Sequence, residues 1–423
     1  MNLFEEFEWR GMLYDATEGA REALAKDKVT AYIGFDPTAS SLHVGSLLPI
    51  MALARLQRFG HSPIALVGGG TGMIGDPSGK SQERTLLSIE EIDHNARGMR
   101  VQLERFLDFT AAANAARMMN NAEWLRTVGM LEFLRDTGKH FTVNYMLAKE
   151  SVRRRIGAGE DGVSFTEFSY MLLQAHDYLH LHDAVNCTLQ LGGSDQWGNI
   201  VAGCDLVRKV RGARVNGVVM PLVTTASGTK FGKTEAGTVW LDPERTSPFK
   251  FYQFWLNTDD RDVIKYLKFF TFLDRPTIDA LEQTVAEAPE QREAQRTLAR
   301  EVTALVHGQD ELAKAQRATE LMHGGGSAQS AADILAVSGD VPTTVISMEQ
   351  FAKSTNTTIT VAVGLAESNG AAVRLIKQGG IYINDERVTD ERAVLRREQL
   401  IDGQVLMIRK GQRDRRIVRI GVM

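Results

Sequence analysis

The chain of 423 residues is nearly devoid of cysteine: Cys187 and Cys204 are the only two. They form no CxxC pair and no histidine cluster accompanies them, which argues against a disulfide framework and against a metal site. No stretch approaches the ~20 apolar residues of a membrane span. The opening residues Met1-Asn2-Leu3-Phe4-Glu5-Glu6 are acidic, where a signal peptide would be basic and then apolar. These lacks leave a cytoplasmic protein with no membrane attachment as the expectation. What is present is ordinary for a globular chain, 43% hydrophobic and 24% charged. The length exceeds what one core holds, so two or three domains are expected.

The net charge of −4 conceals an asymmetry. Residues 343–423 carry 13 Lys/Arg against 9 Asp/Glu, a balance of +4, so the preceding 342 residues sum to −8. Between Arg409 and Arg419 there are six basic residues and one acid, Asp414. An acidic body with a basic end suits a protein that grips a polyanion, although the same run also reads as a solvated surface.

Residues 29–35 (VTAYIGF) and 63–67 (PIALV) read as short buried strands, and residues 44–59 between them carry apolar side chains at helical spacing. Helical patterns follow over about 90–107 and 165–181, then a strand through Thr188-Leu189-Gln190-Leu191 and a helix from Trp197. Strands alternating with helices predict an α/β domain on a parallel sheet. Ser247-Pro248 reads as an N-cap with proline at the first helical position, opening a helical region that runs to about Leu321. His323-Gly324-Gly325-Gly326-Ser327 reads as a linker. Beyond Thr343, strand-like runs at 381–383 and 405–408 indicate a small α+β module.

Two glycine motifs fail on spacing. Gly70, Gly72 and Gly75 satisfy GxGxxG, the dinucleotide fingerprint, but lead into Asp76-Pro77-Ser78-Gly79, a turn sequence rather than a helix. Gly79-Lys80-Ser81 looks like the end of a P-loop, whose first glycine would stand at position 74, occupied by Ile74. Two other segments fit together better. Asp36-Pro37-Thr38-Ala39-Ser40-Ser41-Leu42-His43-Val44-Gly45-Ser46 lies at a strand-to-helix junction, and Lys230-Phe231-Gly232-Lys233-Thr234 follows much later. The first places Thr38, His43 and the positive end of a helix where a triphosphate can lie. Gly45, in the first turn of that helix, leaves room for adenine or ribose against the backbone. The second sets two lysines three residues apart on a glycine-containing loop, a clamp for pyrophosphate charge.

The segments HVGS and KFGKT resemble the HIGH and KMSKS signatures of class I aminoacyl-tRNA synthetases. The resemblance is closest to the bacterial tyrosyl-tRNA synthetase family and runs over nearly the whole chain: GFDPT at 34–38, LVGGGTGMIGDPSGKS at 66–81, FTEFSYMLLQ at 165–174 and LGGSDQWGN at 191–199. One position departs from the pattern. Ser46 stands where the motif ends in His, and its hydroxyl has a shorter reach.

The resemblance implies L-tyrosine and ATP as substrates, Mg²⁺ accompanying ATP, no tightly bound cofactor, tRNA(Tyr) as partner and a homodimer. It assigns Tyr32 and Asp177 to the substrate phenol, Tyr170, Gln174 and Asp76 to its ammonium, and Gln196 to its carboxylate. Asp36, His43, Gly45, Ser46, Gly193, Asp195 and Lys233 would bind the nucleotide. Thr38 and His43 would hold the γ-phosphate region, Lys230, Lys233 and Thr234 would close over it, and Lys80 and Arg84 would approach from the other side. Tyr170, Gln174 and Asp177 are spaced to share one helix face, which would equally serve a plain polar stripe. Ser194 and Asp195 are also residue types that cap helices. A site built around a hydroxyl is left with unpaired buried groups when phenylalanine enters, as the tyrosyl enzymes themselves exemplify.

Gly364-Leu365-Ala366 and Arg374-Leu375-Ile376-Lys377-Gln378-Gly379-Gly380-Ile381-Tyr382-Ile383-Asn384 resemble an S4-type RNA-binding domain, although Ser368-Asn369-Gly370-Ala371-Ala372-Val373 lacks two cations usual there. The implied fold class is α/β: a Rossmann-like parallel-sheet catalytic domain over 1–228, the KFGKT loop and an α-helical anticodon-arm domain over 229–322, a linker at 323–345, and a small α+β S4-like RNA-binding domain over 346–423. An NAD-dependent dehydrogenase would leave HVGS, KFGKT and the basic end unexplained. A non-catalytic RNA-binding protein would leave the pocket residues unexplained. Against a tryptophanyl enzyme stand Asp177, placed for a phenol, and the S4-like module.

Overall fold

The structure is a computed structural model and describes residues 1–78, 87–149, 152–153, 163–228, 231–234, 237–323, 330–336, 338–339, 341–411 and 414–421. The chain forms two compact units, Met1–Arg245 with Thr258–Leu298, and Thr246–Asn257 with Ala299–Met423.

The first unit is built on six strands: β1 (Asp15–Ala16), β2 (Thr30–Phe35), β3 (Ser62–Val67), β4 (Arg117–Asn120), β5 (Cys187–Gly193) and β6 (Asn216–Met220). Their spatial order is β1-β6-β5-β2-β3-β4, parallel except where β1 pairs with β6. The strands predicted over 29–35, 63–67 and 188–191 are β2, β3 and β5, and the helix Leu47–Arg58 crosses from β2 to β3. Its buried residues run from Leu47 to Leu56 and include Arg55, so it is a core helix rather than a surface one. From β2 the chain proceeds outward through β3 and β4, then returns to the other side of β2 as β5. That reversal makes the carboxyl ends of β2 and β5 a topological switch point, where open α/β sheets place their ligands. A short hairpin of β7 (Lys233–Thr234) and β8 (Gly237–Thr238) follows the sheet in the chain.

The second unit opens on the helix Pro248–Leu256, N-capped by Ser247, which accepts from Lys250 N at 3.2 Å with proline in the first turn, as the sequence indicates. Its sheet consists of β9 (Thr343–Ile346), β10 (Ile381–Ile383), β11 (Glu386–Arg387), β12 (Val405–Lys410) and β13 (Asp414–Ile420), in the order β11-β10-β12-β13-β9. Phe351, Ile359, Ile376, Leu406 and Val418 form its core. Within the glycine-rich stretch read as a linker, 324–329 lie outside the described residues. Ala331–Ala336 is a helix, with Ala331 and Ile334 buried among Phe249, Ala318, Val405 and Ile417. Asp402 Oδ2 accepts from Ala331 N at 2.7 Å at the start of that helix.

The basic run at the chain end is partly spent inside this unit. Arg415 is buried, 3.5 Å from Asp385. Arg409 donates to the same carboxylate at 2.8 Å and lies 3.7 Å over the Tyr382 ring. Arg416 pairs with Asp414. No described helix is long and apolar enough to cross a membrane.

Candidate active site

A cleft of about 1050 Å³ opens at the switch point. Its floor is set by β2, where Tyr32 projects into the core and meets Tyr178 edge-on at 5.4 Å. The strand ends at Phe35, and the turn after it carries Asp36 and Thr38 along the cleft wall. Thr38 N donates to Asp36 O at 2.8 Å, which fixes that turn.

His43, Gly45 and Ser46 line the same wall. The sequence places Gly45 in the first turn of an α-helix, whereas Val44–Ser46 is a 3₁₀ turn ahead of the helix Leu47–Arg58. Tighter 3₁₀ winding is common at helix starts. The hydroxyl of Ser46 makes no capping bond, and a Cβ at Gly45 would lie 2.7 Å from the His43 ring, so only glycine leaves His43 its position.

The helix Phe165–Val185 delivers Tyr170, Gln174 and Asp177 together. Tyr170 and Asp177 are buried, and all three line the cleft. Each oxygen of Asp177 is already engaged: Trp124 Nε1 donates to Oδ1 at 2.7 Å and Asn121 Nδ2 to Oδ2 at 2.8 Å. Burial pushes the Asp177 carboxyl up to about 7, opposed by those two donors. Burial likewise raises the phenols of Tyr32 and Tyr170, and Asp177 adds to both shifts. Asp36 and Asp76 add to that of Tyr170 as well. Three carboxylates converging on one phenol create a site that favours a cation.

Asp76 is likewise held from two sides, Oδ1 accepting from Ser78 N at 2.8 Å and Oδ2 from Gln196 Nε2 at 2.7 Å. Gln174 Nε2 donates to Gln196 Oε1 at 3.3 Å, and Asn199 Nδ2 donates to Gln174 Oε1 at 3.1 Å. Gly193, Asp195 and Gln196 line the cleft beyond the end of β5. The helix caps here fall on Gly193 and Gln196, not on Ser194 or Asp195 as their residue types suggest. Lys233 and Thr234 make up β7, and the neighbouring Phe231 lines the cleft. Lys80, Arg84 and Lys230 lie outside the described residues.

The sequence reading missed Asn121, Trp124, Asn199 and Gln190. Asn121 stands directly after β4, the carboxyl-end position of a parallel strand, which is the signal that would have flagged it. It also accepts from Gly70 N at 2.7 Å, tying the glycine-rich run to Asp177.

A family model described as "tRNA synthetases class I (W and Y)" matches residues 24–324 of this chain. The chain belongs to that family of class I aminoacyl-tRNA synthetases. A second model, for the C-terminal domain of tyrosine–tRNA ligases, matches residues 333–418. The tyrosine–tRNA ligase of Roseiflexus castenholzii is 52% identical over 421 residues, 99% of each chain. That of Geobacillus stearothermophilus is 51% identical over 423 residues, 99% of this chain and all of the relative. A C-terminally truncated mitochondrial tyrosyl-tRNA synthetase of Aspergillus nidulans superposes with a TM-score of 0.69 at 32% identity, covering 76% of this chain and 94% of its own. Within its class, the chain belongs to the tyrosine–tRNA ligases.

Proposed function

We infer that the chain activates L-tyrosine with ATP to tyrosyl-adenylate and transfers the tyrosyl group to the terminal adenosine of tRNA(Tyr). The observation that carries the amino-acid choice is at the cleft floor. Tyr32 Oη is buried with no hydrogen-bond partner among the described residues, and the buried Asp177 carboxylate lines the same cleft. A buried unpaired hydroxyl costs about 1–3 kcal/mol, and a substrate phenol that pairs with it recovers that cost. The phenol donates to Asp177, whose oxygens keep lone pairs beyond the two bonds they accept.

At the other end of the amino acid, Tyr170, Gln174 and Asp76 take the ammonium, favoured by the surrounding carboxylates. Gln196 stands beside the carboxylate, which attacks the α-phosphorus of ATP. No enzyme nucleophile is needed, because the substrate carboxylate is already ionised. Rate comes from alignment and from neutralising charge that moves onto pyrophosphate. Asp36, Gly45, Ser46, Gly193 and Asp195 hold the nucleotide, which enters as its Mg²⁺ complex. Thr38 and His43 take the γ-phosphate region, with Lys80, Arg84, Lys230, Lys233 and Thr234 as the remaining pyrophosphate-side groups.

The S4-like module over 346–423 binds the tRNA, and the helical domain over 229–322 helps to hold its anticodon arm. The chain works as a cytoplasmic homodimer. The helix Met130–Asp136 buries none of its residues, and Leu131 and Phe165 are 81% and 74% exposed. Large apolar side chains left in water at Met130, Leu131 and Phe165 suit a second copy of the chain. ATP–pyrophosphate exchange across the twenty amino acids tests the reading. Tyrosine should support it far above phenylalanine and tryptophan, and equal exchange with phenylalanine would overturn the pocket assignment.

A further inference from the structure

The hairpin that carries Lys233 is only two residues per strand, Lys233 pairing with Thr238 and Thr234 with Gly237. So short a ladder does not fix a loop by itself. The helix Asp260–Phe270 does much of the holding. Phe231 is buried, stacked on Phe270 at 5.4 Å and tilted against Tyr266 at 4.9 Å. Upstream in the same loop, Thr224 O accepts from Tyr266 Oη at 3.3 Å and from Lys265 Nζ at 3.1 Å. Asp262, 3% exposed, accepts from Ala226 N at 2.7 Å through Oδ2 and from Lys265 at 2.9 Å through Oδ1. Asp262, Tyr266 and Phe270 follow one another at four-residue spacing, so one face of the helix grips the loop at both places.

The same helix is tied to the other signature. Arg55, on the helix that follows HVGS, donates to Phe269 O at 3.0 Å and to Lys268 O at 3.1 Å, closing its carboxyl end. Gly232, at φ +80°, presses the loop against the HVGS turn: a Cβ there would lie 2.5 Å from Val44 Cγ2. Val44 N donates to Val239 O and Val239 N to Gly232 O, each at 3.0 Å.

We propose that Asp262 and Tyr266 are positioning residues for adenylate formation, setting through Thr224, Ala226 and Phe231 where Lys233 stands against pyrophosphate. The inference rests on the reading of Lys233 as a pyrophosphate-side cation. Neither residue lines the cleft, so each would act through the loop it holds. Neither residue contacts Tyr32, Asp76, Tyr170, Gln174 or Asp177 in any hydrogen bond or ring contact among the described residues, so tyrosine binding should be unaffected.

The test is single-turnover adenylate formation, with tyrosine affinity measured alongside, for Asp262→Ala, Asp262→Asn, Tyr266→Phe, Lys233→Ala and the Asp262→Ala/Lys233→Ala double variant. Asp262→Ala removes a charge-assisted bond and should slow the rate about tenfold or more. Asp262→Asn keeps an acceptor and should recover part of that loss. Tyrosine affinity should stay within about twofold throughout, because ground-state binding of the amino acid is not involved. In the Lys233→Ala background, Asp262→Ala should add less than about twofold, since residues acting as one unit are not additive. An equal effect in both backgrounds, or none in either, overturns the proposal while leaving Lys233 in its role. An unchanged rate in Lys233→Ala overturns that role instead. Should Asp262→Ala not fold, the cycle of Tyr266→Phe with Lys233→Ala decides, because the ring packing on Phe231 is kept.

Discussion

Trp124 is clasped by two residues one turn apart on the same helix: its indole N–H donates to Asp177 Oδ1 at 2.7 Å, and its ring stacks on His180 at 4.2 Å. The carboxylate proposed to meet the substrate phenol is therefore oriented by a side chain 53 positions earlier in the chain.

Trp124→Phe should shift the pH dependence of tyrosine binding upward. Asp177 sits at about 7 because burial outweighs the donors Asn121 and Trp124, so losing one donor raises it further. On the proposed reading ionised Asp177 accepts the phenol, so wild-type affinity should fall as pH drops through about 7 and the variant should begin its loss at higher pH. Stability runs the other way. A carboxyl whose folded value exceeds its ordinary 3.8 stabilises the fold fully below 3.8, and that contribution is lost as pH rises through about 7. Tyrosine affinity and thermal stability measured between pH 5 and 9 check both signs, and coincident affinity midpoints for the two proteins would count against the pairing.

Tyr32→Phe should weaken tyrosine binding by about 0.5–1.5 kcal/mol, the net worth of one hydrogen bond, and leave phenylalanine binding unchanged. The ring keeps its edge-on contact with Tyr178 and an unpaired buried hydroxyl is removed, so the melting temperature of the ligand-free protein should rise rather than fall. Equilibrium titration with both amino acids reads the difference directly. Equal weakening for both would mean that the ring is displaced rather than the hydroxyl missing.

Leu131→Asp places a charge on the exposed apolar helix Met130–Asp136. It should lower the sedimenting mass from two copies to one at micromolar concentration without changing the far-ultraviolet spectrum. Because the residue is exposed in the single chain, a fall in monomer stability would point to a role inside the fold.

Deletion from residue 328 onward should leave ATP–pyrophosphate exchange largely intact, since every described cleft residue precedes Arg245. Charging of tRNA should be lost at physiological salt, where phosphate contacts dominate affinity. The remaining helices should melt earlier, because Phe249 and Ala318 lose the buried partners Ile334, Val405 and Ile417. Aminoacylation and exchange assayed side by side separate the two losses.

The crossover from β2 to β3 was legible because aromatic and β-branched residues flank a segment at helical spacing. That Tyr170, Gln174 and Asp177 share one helix face was legible from their spacing, while their assignment to the substrate came from the family resemblance and not from the spacing. Asn121 and Trp124 were not. They follow β4, an edge strand of Arg117-Met118-Met119-Asn120 with no apolar alternation, and their partner is remote in sequence. The glycine-rich stretch shows another limit. Composition there reports local backbone freedom, and says nothing of the tertiary surface that Ala331 and Ile334 find. Helix caps were half legible: Ser247 behaves as its type suggests, while Ser194 and Asp195 are drawn into the turn at the end of β5.

The pairing of Arg409 and Arg415 with Asp385, and of Arg416 with Asp414, bears on how the protein responds to ionic strength. Each phosphate neutralised by a side chain releases close to one condensed counterion, so the log–log slope of RNA affinity against salt counts the cations that reach the backbone. Counted from sequence, the run from Arg409 to Arg419 offers six. Arg415 is buried, and Asp385 and Asp414 together offset two of the three arginine charges, which leaves at most four from this run. The protein therefore sheds fewer ions on binding RNA than its composition advertises, and its grip should survive salt better than the charge count suggests.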